Sequence, residues 1–117
     1  MSKALRRIKH IDKKIGFIQE IVEQSGGITE ALKDEKSARA AILMHLTSIA
    51  EQFDKLAKES EFEILSHFDK RDLKGTYDIR TFIAHDYEGV NLAIIESVIR
   101  NRLPHLKQTT QTLLSQP

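Results

Sequence analysis

The sequence predicts an all-α fold, an antiparallel bundle of four or five helices, on three observations. Apolar residues recur at steps of three and four, no stretch keeps a period-two alternation, and the breaks between periodic segments are short. Leu5, Ile8, Ile11, Ile15, Ile18 and Val22 make the first stripe, a basic amphipathic helix stopped by Gly26 and Gly27. A second helix, from about Glu35 to Lys58, carries Ile42, Leu46, Ile49, Phe53 and Leu56; beside them Ala38, Ala41, His45 and Ser48 form a row small enough to admit a neighbouring helix. Residues 61–68 read as a short helix or turn. Asp69 caps a third long helix running to about Tyr87, and Gly89 ends it. Asn91 caps a fourth, with Leu92, Ile95 and Ile99 inward, while Pro104 marks either a kink or the first turn of a last helix carrying Leu106 and Leu113. The tail after Leu114 is expected to fray.

The 117 residues suit one domain, 1–117, and no repeat or linker divides them. The absence of cysteine excludes disulfides, thiolate zinc sites and a cysteine nucleophile. The longest purely apolar run, Ala40 to Met44, falls far short of the roughly 20 residues a membrane span needs. The basic N-terminus is broken by charges where a signal peptide would be apolar, so a cytoplasmic protein is expected. Net charge is only +1, but it is unevenly spread: residues 1–14 hold six basic side chains and one acid, and residues 97–117 hold three and none. If the two ends lie side by side they offer a basic surface to a polyanion; otherwise they are solvated faces.

Phosphate loops, zinc-protease, nucleophile-elbow and calcium-loop signatures are missing, which removes the enzyme classes that need them. Of five histidines, His10 and His105 read as solvated, His45 as packed or at an interface, and His67 has no partner at metal-ligand spacing; no metal site is expected. His85 differs. With the third helix at about 100° per residue, Leu73, Thr76, Tyr77, Ile79, Ile83, Ala84 and Tyr87 fill one arc, and Arg80 falls inside it. A guanidinium there must be paired, with an acid such as Glu51, must snorkel, or must line a cleft used by an anion. His85 lies about 140° round from Arg80 and about 7.5 Å along the axis. The two meet only if the helix loosens near Asp86 or a second copy supplies the facing wall. Otherwise His85 simply ends a helix, where a cation is favourable.

The string Arg80-Thr81-Phe82-Ile83-Ala84-His85-Asp86-Tyr87 reads R-x4-H-x-Y, and it resembles the signature of HepT-type toxins of the HEPN superfamily. The likeness extends to the basic first helix, the Ala41–Glu51 segment, Gly89-Val90 and Leu103-Pro104-x-Leu106. Thr81 stands where the family commonly has another small polar residue, often asparagine. The resemblance implies a HEPN-like homodimer acting as a metal-independent ribonuclease without a cofactor, with Arg80 and His85 as the catalytic pair. It also implies an antitoxin partner, a minimal nucleotidyltransferase of the MntA type that silences the toxin by transferring AMP to Tyr87. Some related chains serve instead as non-catalytic adaptors of nucleotidyltransferases.

These residue types suit that chemistry. Imidazole exchanges protons near neutral pH, and arginine holds two phosphate oxygens in a planar fork without losing its charge. RNA, tRNA among the candidates, is the expected substrate.

Overall fold

A computed structural model describes residues 1–116, and among these there are seven helices and no strand. Five have ten or more residues: α1 (Lys3–Ser25), α3 (Ala38–Lys58), α5 (Lys70–His85), α6 (Leu92–Asn101) and α7 (Leu103–Ser115). Two are short, α2 (Ile28–Lys33) and α4 (Phe62–Leu65). The five long helices are the expected bundle. Pro117, at the end of the expected frayed tail, lies outside the described residues, while Ser115 is still helical.

Each boundary has a local cause. Ser2 accepts a hydrogen bond from the Leu5 amide at 3.1 Å and starts α1. Gly26, at φ 90°, takes the left-handed conformation that closes it, with Gly26 N–H and Gly27 N–H donating to the Glu23 and Val22 carbonyls. The second long helix starts at Ala38 rather than near Glu35, because Asp34 folds back: its carboxylate accepts from Ala38 N–H and its carbonyl from Arg39 N–H. Asp69 and Asn91 cap α5 and α6 as expected, accepting from Arg71 N–H at 2.8 Å and Ala93 N–H at 3.0 Å. Pro104 sits in the first turn of α7 and makes no kink.

Helix α3 is central. It packs on α1 along one side and on α5 along the other, and α7 closes against α1 and α6. Ile8, Ile11, Ile15 and Ile18 meet Ile42, Leu46 and Ile49 in a core that α5 joins through Ile79 and Ile83 and α7 through Leu103, Leu106 and Leu113. Phe68 meets Phe53 edge-on, centroids 5.0 Å apart, and so seats the turn before α5 on α3. The basic first and last helices are therefore neighbours. Among the described residues, no helix is long and apolar enough to cross a membrane.

Candidate functional site

Helix α5 carries the R-x4-H-x-Y string, and its inward side is set by Asp72, Thr76, Ile79 and Ile83, all buried. That arc is narrower than the one expected from the apolar pattern. Tyr77 and Ala84 are exposed, and Arg80 lies half-buried on the margin of the stripe rather than within it. Of the three alternatives for Arg80, pairing with an acid such as Glu51 is not the one taken; among the described residues Arg80 has no carboxylate within ion-pair distance. Its charge does reach α3. The Asp54 carboxyl is held below the usual range first by its hydrogen bond from Lys58, then by the charges of Lys58 and Arg80.

The helix ends at His85, two residues before the expected Tyr87. Asp86 leaves helical space at φ −152° and ψ 86°, and its carboxylate accepts from Gly89 N–H at 3.0 Å, turning the chain toward α6. An angle projected along a continuous helix therefore does not describe Tyr87. The three motif residues have different surroundings. His85 is exposed beside a shallow hollow of about 210 Å³ shared with Phe82, Val90 and Ile94 of the α5–α6 corner. Tyr87 sits over α3, in a groove of about 430 Å³ with Met44, Ser48, Glu51 and Ile83. Tyr87 thus lies toward α3, where the charge of Arg80 is also felt, and His85 toward α6; on α5 Arg80 and His85 are offset by about 140° and about 7.5 Å along the axis. Phe82, Tyr87, Ile94 and Met44 leave large apolar surface exposed around them.

A second polar centre was not foreseen. Asp72 is buried, and it accepts from His105 Nδ1 at 2.5 Å and Arg102 Nη1 at 3.3 Å, pinning the first turn of α5 to the start of α7. His105 is thus not a free solvated histidine. The register gave the signal: Asp72 shares the stripe of Thr76, Ile79 and Ile83, where a carboxylate needs partners. His10 is likewise engaged, its Nε2 lying 3.1 Å from Ser48 Oγ. His45 packs on Phe17 as expected, centroids 5.4 Å apart. Burial, and then nearby lysines, push both His10 and His45 below the usual histidine value. Among the described residues no three histidine or carboxylate side chains cluster as metal ligands would.

No curated protein and no solved structure matches the chain. A family model described as Ribonuclease HepT-like matches residues 11–113.

Proposed function

Because the chain belongs to the HepT-like ribonuclease family, we propose that it is a toxin endoribonuclease that works as a homodimer, without a metal ion, on RNA such as tRNA. The observation that carries this reading is Arg80: a half-buried cation with no carboxylate within ion-pair distance among the described residues, on the same helix as an exposed imidazole, suits a phosphate. His85 takes the proton of the 2′-hydroxyl, the 2′-oxygen attacks the adjacent phosphorus, and the bond to the 5′-oxygen breaks. A water molecule protonates that leaving oxygen and is restored by the proton of the His85 imidazolium. Arg80 holds the non-bridging oxygens as charge develops on them. The products are a 2′,3′-cyclic phosphate and a 5′-hydroxyl. The exposed apolar side chains beside the motif support a contact between two copies here.

Tyr87 is the silencing point in this reading. Its phenol oxygen attacks the α-phosphorus of ATP held by a partner nucleotidyltransferase, pyrophosphate leaves, and Tyr87 carries AMP with one negative charge. Its exposure leaves it open to that partner, and its place on the α3 side, where the charge of Arg80 is also felt, supports an attraction between the added phosphate and the guanidinium. The separation of Arg80 from His85 within one chain also suits a non-catalytic adaptor of the nucleotidyltransferase.

Induced expression of the wild type, Arg80→Ala and His85→Ala, with end analysis of total RNA, separates the two. Growth arrest and cyclic-phosphate ends in the wild type only are expected. Unmodified, dimeric wild type that cuts no RNA would refute the nuclease in favour of the adaptor, and cutting of the matching DNA strand would refute the mechanism. Tyr87→Phe should keep cleavage and escape silencing.

A further inference from the structure

Away from the motif, the fold gathers five cations that have no acid opposite them. Arg6, Lys9, Lys13 and Lys14 lie on α1 and Lys55 on α3, and among the described residues none has a carboxylate within ion-pair distance. Lys3, Arg7 and Lys107 differ, being held by Glu59 or Asp12. At about 100° per residue the four α1 cations, with His10 and Phe17 among them, span about 140° of the helix. No acid between Arg6 and Phe17 falls on that arc, since Asp12 points toward α7, where it meets Lys107 and Thr110. The arc lies clear of the stripe of Ile8, Ile11, Ile15 and Ile18, so its charges face outward or along the seam with α3.

Two further features mark this face. Phe17 is half-buried, and the ammonium groups of Lys13 and Lys14 stand 5.6 and 5.7 Å from its ring centre, with His45 tilted against it. An aromatic surface bordered by cations is what a single-stranded nucleic acid uses, bases on the ring and phosphates on the amines. The face also adjoins the motif side of α3: Ser48, bonded to His10, is itself a wall of the groove that holds Tyr87. Glu51 is the acid on that wall, so the attraction for phosphate comes from the α1 side of Ser48.

We propose that the α1–α3 face is a binding track for single-stranded RNA, which leaves the Tyr87 groove over Ser48 and runs along Lys14, Lys13, Lys9 and Arg6 with a base against Phe17. It rests on the ribonuclease reading for its substrate, and adds where the uncut flank of that substrate lies. The loss of proton affinity at His10, caused by burial and then by Lys14, Lys13 and Lys55, agrees with a positive potential at the seam.

The test uses the full-length protein and a fluorescein-labelled, fully 2′-O-methylated RNA of about 20 nucleotides, which lacks the attacking hydroxyl, with anisotropy read over a range of salt. Lys13→Gln/Lys14→Gln should bind about tenfold more weakly at about 0.15 M salt and show a log–log salt slope shallower by about 1.4. Lys55→Gln alone should make it shallower by about 0.7. Both variants alter surface charges, so their melting curves should overlay that of the wild type, and their cleavage of a trinucleotide should be unchanged. Unaltered affinity and slope in both variants would overturn the proposal. So would intact RNA binding with lost binding of polyglutamate, which would make the face a site for an acidic protein. A wild type that cuts no RNA refutes the ribonuclease reading, while the binding comparison still decides the track.

Discussion

Replacing Asp72 tests whether the centre it forms holds α5 to α7. Its side chain is 1% exposed, whereas those of Arg102 and His105 are 34% and 50% exposed. Hydrogen bonds to a charged group contribute about 1.5–3 kcal/mol each, and the 3.3 Å bond to Arg102 is near the geometric limit and belongs at or below the low end. Asp72→Ala returns both donors to water that they already touch, so the cost is the bonds alone, about 2–3 kcal/mol. The reverse deletion is worse. Arg102→Ala/His105→Ala strands a buried carboxylate, and a buried charge left without partners costs about 3–5 kcal/mol. Adding Asp72→Ala to that double variant removes the stranded charge and should therefore restore stability. Urea unfolding followed by circular dichroism measures each step, and thermal midpoints should move by about 4 °C per kcal/mol for a chain of this size. A cost below about 0.5 kcal/mol for Asp72→Ala, the level of an ordinary surface change, would refute the reasoning. So would a triple variant less stable than the double.

Leu46→Ala, at a core position 1% exposed, should cost about 3 kcal/mol in the same unfolding assay. Glu59 is held at about 2 by its hydrogen bond from Arg7 and then by Lys3, so its contribution is present above the ordinary carboxylate range and lost as pH falls from about 4.5 toward 2. Glu59→Gln should flatten that acid limb of the stability curve and leave the limb above pH 6 unchanged in slope. If each site takes Arg80 from one copy and His85 from the other, mixing Arg80→Ala with His85→Ala chains should restore about a quarter of wild-type cleavage, because half the dimers are mixed and each has one intact site. No recovery on mixing would place both groups of a site on one chain.

The fold was legible wherever one periodicity governed a long segment. The isoleucine stripe of α1, the Ile42-to-Leu56 stripe of α3 and the capping residues Asp69 and Asn91 all stand where spacing put them. Helix ends were less legible, because they depend on single side chains that fold back on the backbone. Asp34 delays α3 and Asp86 stops α5, and neither shows in an apolar pattern. Helix α2 is too short, at six residues, to display a period. The family was legible from R-x4-H-x-Y and its flanking segments, which the match over residues 11–113 supports. Asp72 escaped because a carboxylate adds nothing to an apolar period, although it shares the buried stripe of Thr76, Ile79 and Ile83. His105 escaped because its partner is 33 residues away in the chain.

Two routes were open for Arg80 and His85 to share one phosphate: a helix that loosens near Asp86, or a second copy. The described chain is regular through His85 and departs from helix only at Asp86, beyond both residues. Their offset of about 140° and 7.5 Å is therefore built into α5, and unwinding that begins at Asp86 does not shorten it. Moving His85 onto the α3 side would require breaking the last turn, including the bond from Asp86 N–H to the Phe82 carbonyl. The turn is further held by Asp86 accepting from Gly89, which fixes the chain's departure toward α6. Within the nuclease reading, then, we propose that the facing wall comes from another chain, seated on the exposed Phe82 and Ile94 beside His85. The mixed-chain experiment thus bears on the site as much as on the assembly. If cleavage survives in a monomer, the last turn of α5 must open during the reaction, with loss of the bond from Asp86 N–H to the Phe82 carbonyl.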